Sequence, residues 1–104
     1  MNAKRRKEIK NVLEEINILQ QDLHSILDTL ESVYNRVENI RDEEQDCLDN
    51  IPENLQSSEK YEICETAVDN LDTAYDSLDS AKRFLDDVLS GVEETISALE
   101  DAQA

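Results

Sequence analysis

The chain has 104 residues with one Gly, one Pro, no Trp and 4% aromatic residues, so it is one domain without the material for a bulky globular core. So little turn chemistry excludes a β-sandwich, a barrel or an alternating α/β fold, and leaves a few long helices. Twenty-six acids against ten bases give a net charge of -16, which repels nucleic acid and anionic membranes and attracts basic partners.

The N-terminus runs against that balance. Lys4, Arg5, Arg6, Lys7 and Lys10 face Glu8 alone within the first ten residues, a local +4 that leaves about -20 for the rest. From Ile9 a seven-residue pattern begins. With Ile9 at position a, the a and d sites read Ile9, Val12, Ile16, Leu19, Leu23, Ile26, Leu30, Val33, Val37, Ile40, Glu44, Cys47 and Ile51. Steps of three and four alternate without a slip, which is a coiled-coil seam with Glu44 as its one polar member. The pattern predicts a helix over residues 4–49, roughly 65–70 Å long.

Asn50-Ile51-Pro52 ends that helix, because proline disfavours a helical Ile51 and has no N–H to donate. A loop over 50–58 with room for one helical turn is expected. Ser57 or Ser58 is placed to cap a second helix over 59–102, and Glu59 and Glu62 suit the positive end of its dipole. This second half is a literal repeat: Ala67-Val-Asp-Asn-Leu-Asp-Thr is followed by Ala74-Tyr-Asp-Ser-Leu-Asp-Ser and Ala81-Lys-Arg-Phe-Leu-Asp-Asp. Its a sites are Tyr61, Val68, Tyr75, Lys82, Leu89 and Ile96; its d sites are Cys64, Leu71, Leu78, Leu85, Val92 and Leu99. Gly91 falls outside the seam as a tolerated weak point, costing about 1 kcal/mol against Ala.

Two seams of similar length joined by a short loop predict an all-α antiparallel helical hairpin. A loop centred near Asn54 pairs Ile40 with Val68, Leu19 with Leu89 and Ile9 with Leu99. The N-terminal cations then lie beside Glu93, Glu94, Glu100 and Asp101. The apolar stripe is wider than two helices need: Leu13, Leu27, Tyr34 and Leu48 add position e on the first helix, and Ala67, Ala74, Ala81, Val88 and Ala102 add position g on the second. Such a stripe suits a bundle of three or more helices, so a homodimer or higher homo-oligomer is expected, through Leu13, Leu27, Tyr34, Ala67, Ala74 and Ala81.

The second helix also carries an acidic row at its b and e sites: Glu62, Glu65, Asp69, Asp72, Asp76, Asp79, Asp86, Glu93 and Glu100. It advances by about 4.5 and 6 Å alternately, comparable with phosphates along a nucleic-acid strand. One reading is a face that mimics that strand in a basic groove; the plainer one is a solvated face that keeps the chain soluble. Lys82 and Arg83 form the one basic spot on this helix after Lys60, a snorkelling register device or a contact for an anionic ligand. The run Asp42-Glu43-Glu44-Gln45-Asp46 lacks the glycine-centred geometry of a calcium loop. His24 is isolated, and no metal or other cofactor is implied. Cys47 and Cys64 belong to no CxxC pair and are expected to be reduced thiols in the cytosol. No stretch has the length of a membrane span or a leader core. No phosphate loop, nucleophile elbow or paired-His site is present, so enzyme activity is not expected.

The run from Arg41 to Ala81, with its DEEQ segment, the DNIPENLQSSE turn and the Leu/acid heptads that follow, resembles a set of short acidic helical proteins of bacterial mobile elements and phages. No activity attaches to that set, so no functional residue is carried over. The resemblance implies a context in which small acidic proteins block host defence. It thereby implies an inhibitor of a basic, nucleic-acid-binding host protein that acts without touching nucleic acid itself. Two alternatives remain: an oligomeric sponge for a small signalling nucleotide, and a structural coiled-coil adaptor.

Overall fold

The computed structural model describes residues 1–103, which contain two long helices and no strand. Helix α1 spans Ala3–Asp49, a single 3-10 turn spans Glu53–Leu55, and helix α2 spans Glu59–Ala102. The local chemistry accounts for each end. Asn2 caps α1 by accepting the Arg5 N–H on its side-chain oxygen at 2.9 Å. At the other end the bonds tighten, with Ile51 N–H donating to the Leu48 carbonyl at 3.2 Å, before Pro52 stops the ladder. Pro52 accepts from Leu55 at 2.8 Å to form the 3-10 turn, and Ser58 opens α2 by accepting the Tyr61 N–H on its hydroxyl at 3.2 Å. Gly91 lies inside α2 without a positive φ, and a methyl group there would meet nothing within 4 Å.

The chain divides into two compact units, one formed by Met1–Thr29 with Lys82–Ala104 and the other by Leu30–Ala81. The second is a helical hairpin around the loop. Tyr34 stacks on Tyr75, and Arg41, further along α1, reaches back to Asp72, earlier on α2, so the two helices run antiparallel. The register that sets Ile40 against Val68 would bring Tyr34 to residue 74, and its observed partner is the next one.

The two helices turn toward each other by different rows. On α2 the inward residues are the expected a and d sites, including Tyr61, Cys64, Val68, Leu71, Tyr75, Leu78, Lys82, Leu85 and Leu89. On α1 they are a and e. Ile9, Leu13, Ile16, Gln20, Leu23, Leu27, Leu30, Tyr34, Val37, Arg41, Glu44 and Leu48 are half-buried or buried, whereas the d row of Val12, Leu19, Ile26, Val33, Ile40 and Cys47 faces water. Leu19 and Ile40, expected across from Leu89 and Val68, are 48% and 52% exposed. Conversely Leu13, Leu27 and Tyr34, expected to face a second copy, sit on the inward side of their own chain.

The physical reason is that a stripe spanning d, a and e is about 100° wide, and one partner helix covers only part of it. Turning e inward gains the Tyr34–Tyr75 stack, with ring centroids 4.7 Å apart, and places the Arg41 guanidinium 4.1 Å above the Tyr75 ring. Such contacts contribute about 0.5–1.5 kcal/mol each beyond burial. The resulting core is thin: among the described residues only Leu23, Val68 and Leu89 are buried, and no side chain is sealed completely.

The cap at the start of α2 yields a clean comparison. Ser58→Ala should lower unfolding stability by about 1 kcal/mol through loss of the bond to Tyr61. Ser57→Ala, at an exposed neighbour, should change it by less than about 0.5 kcal/mol. Urea titrations followed by circular dichroism measure both; equal effects would assign the cap wrongly.

Candidate interaction surfaces

Among the described residues no three His, Cys, Asp or Glu side chains converge as a metal ion would require. No helix among the described residues is long and apolar enough to cross a membrane. The side chains that could meet a partner divide among three places.

The first is the acidic row of α2. Glu62, Glu65, Asp69, Asp72, Asp76 and Asp86 are exposed and Asp79 is half-buried. One cation reaches the row from α1: Arg41 Nε lies 3.7 Å from Asp72 while its Nη2 lies 3.2 Å from Asp42. Asp79, Lys82 and Arg83 have interactions of their own. Among the described residues, Glu62, Glu65, Asp69, Asp76 and Asp86 are in no ion pair, so their charge is neutralised only by solvent ions. The N-terminal cations likewise form no ion pair with Glu93, Glu94, Glu100 or Asp101, despite the expectation that they would lie together. Long lysine and arginine side chains at an exposed helix start gain little from such pairs against the entropy of holding them.

The second place is a cluster in the Leu30–Ala81 unit that sequence reasoning missed. The Tyr34 hydroxyl is hydrogen-bonded to the Tyr75 hydroxyl at 2.5 Å, and the two rings are stacked. The Tyr75 phenol is pushed up to about 12, first by that bond, then by burial and by a hydrogen bond to the Glu38 carboxylate. The Arg41 guanidinium is raised further above its usual value, chiefly by its bond to Asp42. Arg41 lies at an e site of α1 and is half-buried. The available signal was its seven-residue spacing from Tyr34, which puts both on one row.

The third place is the outward d row of α1 with the flank of α2 beside it, where the exposed large side chains collect. Ile26 is 54% and Phe84 72% exposed. Cys47 belongs to this outward row while Cys64 faces inward, and both are free thiols. Ala74 and Ala81 are exposed and Ala67 is half-buried. Comparison of the chain with protein-family models, curated proteins and solved structures finds no match.

The cluster carries a pH prediction. The folded chain holds the Tyr75 proton more tightly than an unfolded chain, whose phenol titrates near 10. That contribution to stability is complete below about pH 10 and is lost as pH rises toward about 12. Wild type should therefore lose stability relative to Tyr75→Phe between pH 10 and 12, in paired urea titrations. Parallel pH profiles for the two proteins would show that Tyr75 titrates normally.

Proposed function

We propose that this chain is a non-enzymatic interaction protein that presents the acidic row of α2 to a basic, nucleic-acid-binding surface of a host protein and blocks it. The observation that carries this reading is a set of exposed carboxylates, Glu62, Glu65, Asp69, Asp76 and Asp86, repeated along one helix and in no ion pair among the described residues. Charges held in a row on a rigid helix need no ordering on binding, so they match a groove built for a phosphate backbone at low entropic cost. Phage or mobile-element origin and an anti-defence role belong to the same proposal and rest on the resemblance of residues 41–81. So does action in the host cytosol.

The active species in this reading is a homodimer in which two hairpins make a four-helix bundle. The thin core of each unit supports that, because the monomer leaves the more uniformly apolar row of α1 in water.

The test is a charge reversal confined to carboxylates in no ion pair: Glu62→Lys, Glu65→Lys, Asp69→Lys and Asp76→Lys together. Immobilised wild type should retain a basic protein from host lysate that elutes with salt and is displaced by duplex DNA. The quadruple variant should bind that protein about a hundredfold more weakly or worse, since like charges opposed across an interface cost several kcal/mol. Its circular dichroism should remain that of the wild type. Undiminished binding by the helical variant would refute the acidic face as the contact.

A further inference from the structure

We propose that Tyr34 and Tyr75 form an oxidative cross-linking site, at which a one-electron oxidant generated from a peroxide joins the two rings by a carbon–carbon bond and ties α1 to α2. The geometry lies wholly within the Leu30–Ala81 unit and is independent of what the acidic row binds.

Coupling of two phenols needs ring carbons within reach, an outlet for the phenolic protons, and access for an electron acceptor. The first is present before any reaction. The rings stack with centroids 4.7 Å apart at an interplanar angle of 26°, and the hydroxyl oxygens are 2.5 Å apart. Hydroxyls that meet at one end of a stack bring the ring carbons beside them together, and those carbons share the unpaired electron of a phenoxyl radical. Two residues 41 positions apart are thereby held as neighbours. Coupling within the chain is then favoured over coupling between chains by orders of magnitude.

A hydrogen-bonded chain supplies the outlet. Tyr34 donates to Tyr75, and Tyr75 donates to the Glu38 carboxylate. An electron leaving Tyr75 alone would create a ring cation beside the Arg41 guanidinium, which lies 4.1 Å from the ring centroid, and like charges there repel. Passing the phenolic proton to Glu38 removes that charge, so electron and proton leave together. Both tyrosines are half-buried rather than sealed, which leaves them within reach of a small oxidant.

Each phenol gives up one electron and one proton. The two phenoxyl radicals join ortho carbon to ortho carbon, and the hydrogen on each joined carbon moves to its own oxygen, restoring both phenols. The pair thus loses two electrons and two protons, which reduce one hydrogen peroxide to two waters. Unlike a disulfide, the biaryl bond is not reversed by thiols. Among the described residues of this unit only Val68 is buried. A bridge across 41 positions restricts the unfolded chain, so oxidation converts a thinly packed hairpin into a braced one.

The test treats the purified full chain with a photo-excited ruthenium tris-bipyridine complex and persulfate, itself a peroxide. The expected product has the mass of one chain less two hydrogen atoms, shows dityrosine fluorescence, and links the peptide holding Tyr34 to that holding Tyr75. Among the described residues the third tyrosine, Tyr61, is in no ring contact and serves as the internal control. Cleavage at aspartate separates it from Tyr75, because Asp69 and Asp72 lie between them. The Tyr34–Tyr75 link should exceed all links to Tyr61 by about a hundredfold or more. Tyr75→Phe should abolish it and Tyr61→Phe should leave it intact. Coupled wild type should unfold at a higher urea concentration than untreated wild type. Cys47 and Cys64 are free thiols able to quench phenoxyl radicals, so Cys47→Ser with Cys64→Ala is treated in parallel. Failure of Tyr34 and Tyr75 to couple in both proteins would overturn the proposal, as would products dominated by Tyr61 or by two joined chains. An unchanged urea midpoint in the coupled chain would overturn the brace.

Discussion

A helix packed against one other helix hides one stripe of its surface and leaves the rest in water. For this chain that constraint governs nearly everything else. Helix α1 offers three adjacent apolar or mixed rows at d, a and e, and its neighbour covers two. The pair that goes inward is a and e, although the d row is the more uniformly apolar. The e row contains Gln20 and Arg41, which are poor core residues by composition. What they receive in exchange is specific: Tyr34 on Tyr75, and Arg41 between the Tyr75 ring, Asp42 and Asp72.

This rotation sets the character of the faces. It draws Arg41 into the inter-helix seam beside Asp72, while among the described residues Glu62, Glu65, Asp69, Asp76 and Asp86 stay in no ion pair. It also leaves the apolar d row of α1, Val12, Leu19, Ile26, Val33 and Ile40, exposed. On α2 the carboxylates are confined to b, e and f sites, so its a, d, c and g rows are free of acids.

The Tyr34–Tyr75–Arg41 cluster occupies the place where an ordinary seam would carry aliphatic side chains. Aromatic stacking and a guanidinium over a ring are directional, while leucine contacts are not, so the cluster favours one rotation and one register of α1 against α2. Among the described residues only Leu23, Val68 and Leu89 are buried, and their aliphatic contacts are less directional. Glu44, the polar member of the a row, remains half-buried near the loop, where water is close and its charge needs no partner inside.

The sequence by itself determined that the chain is helical, where polar caps and Pro52 interrupt it, and which residues of α2 face inward. These follow from local rules: a heptad period, a capping serine and a proline act over one or two turns and need no knowledge of the partner. It also determined the acidic row, because b and e sites on one helix align whatever lies opposite. Only the tertiary structure decided which edge of the broad stripe on α1 turns in. That choice depends on pair contacts between residues 41 positions apart, such as Tyr34 with Tyr75, and periodicity on a single helix carries no information about them. For the same reason Leu13, Leu27 and Tyr34 read as surface for a second copy when they belong to the chain's own seam. Val12, Leu19, Ile26, Val33 and Ile40 read as seam when they are the surface.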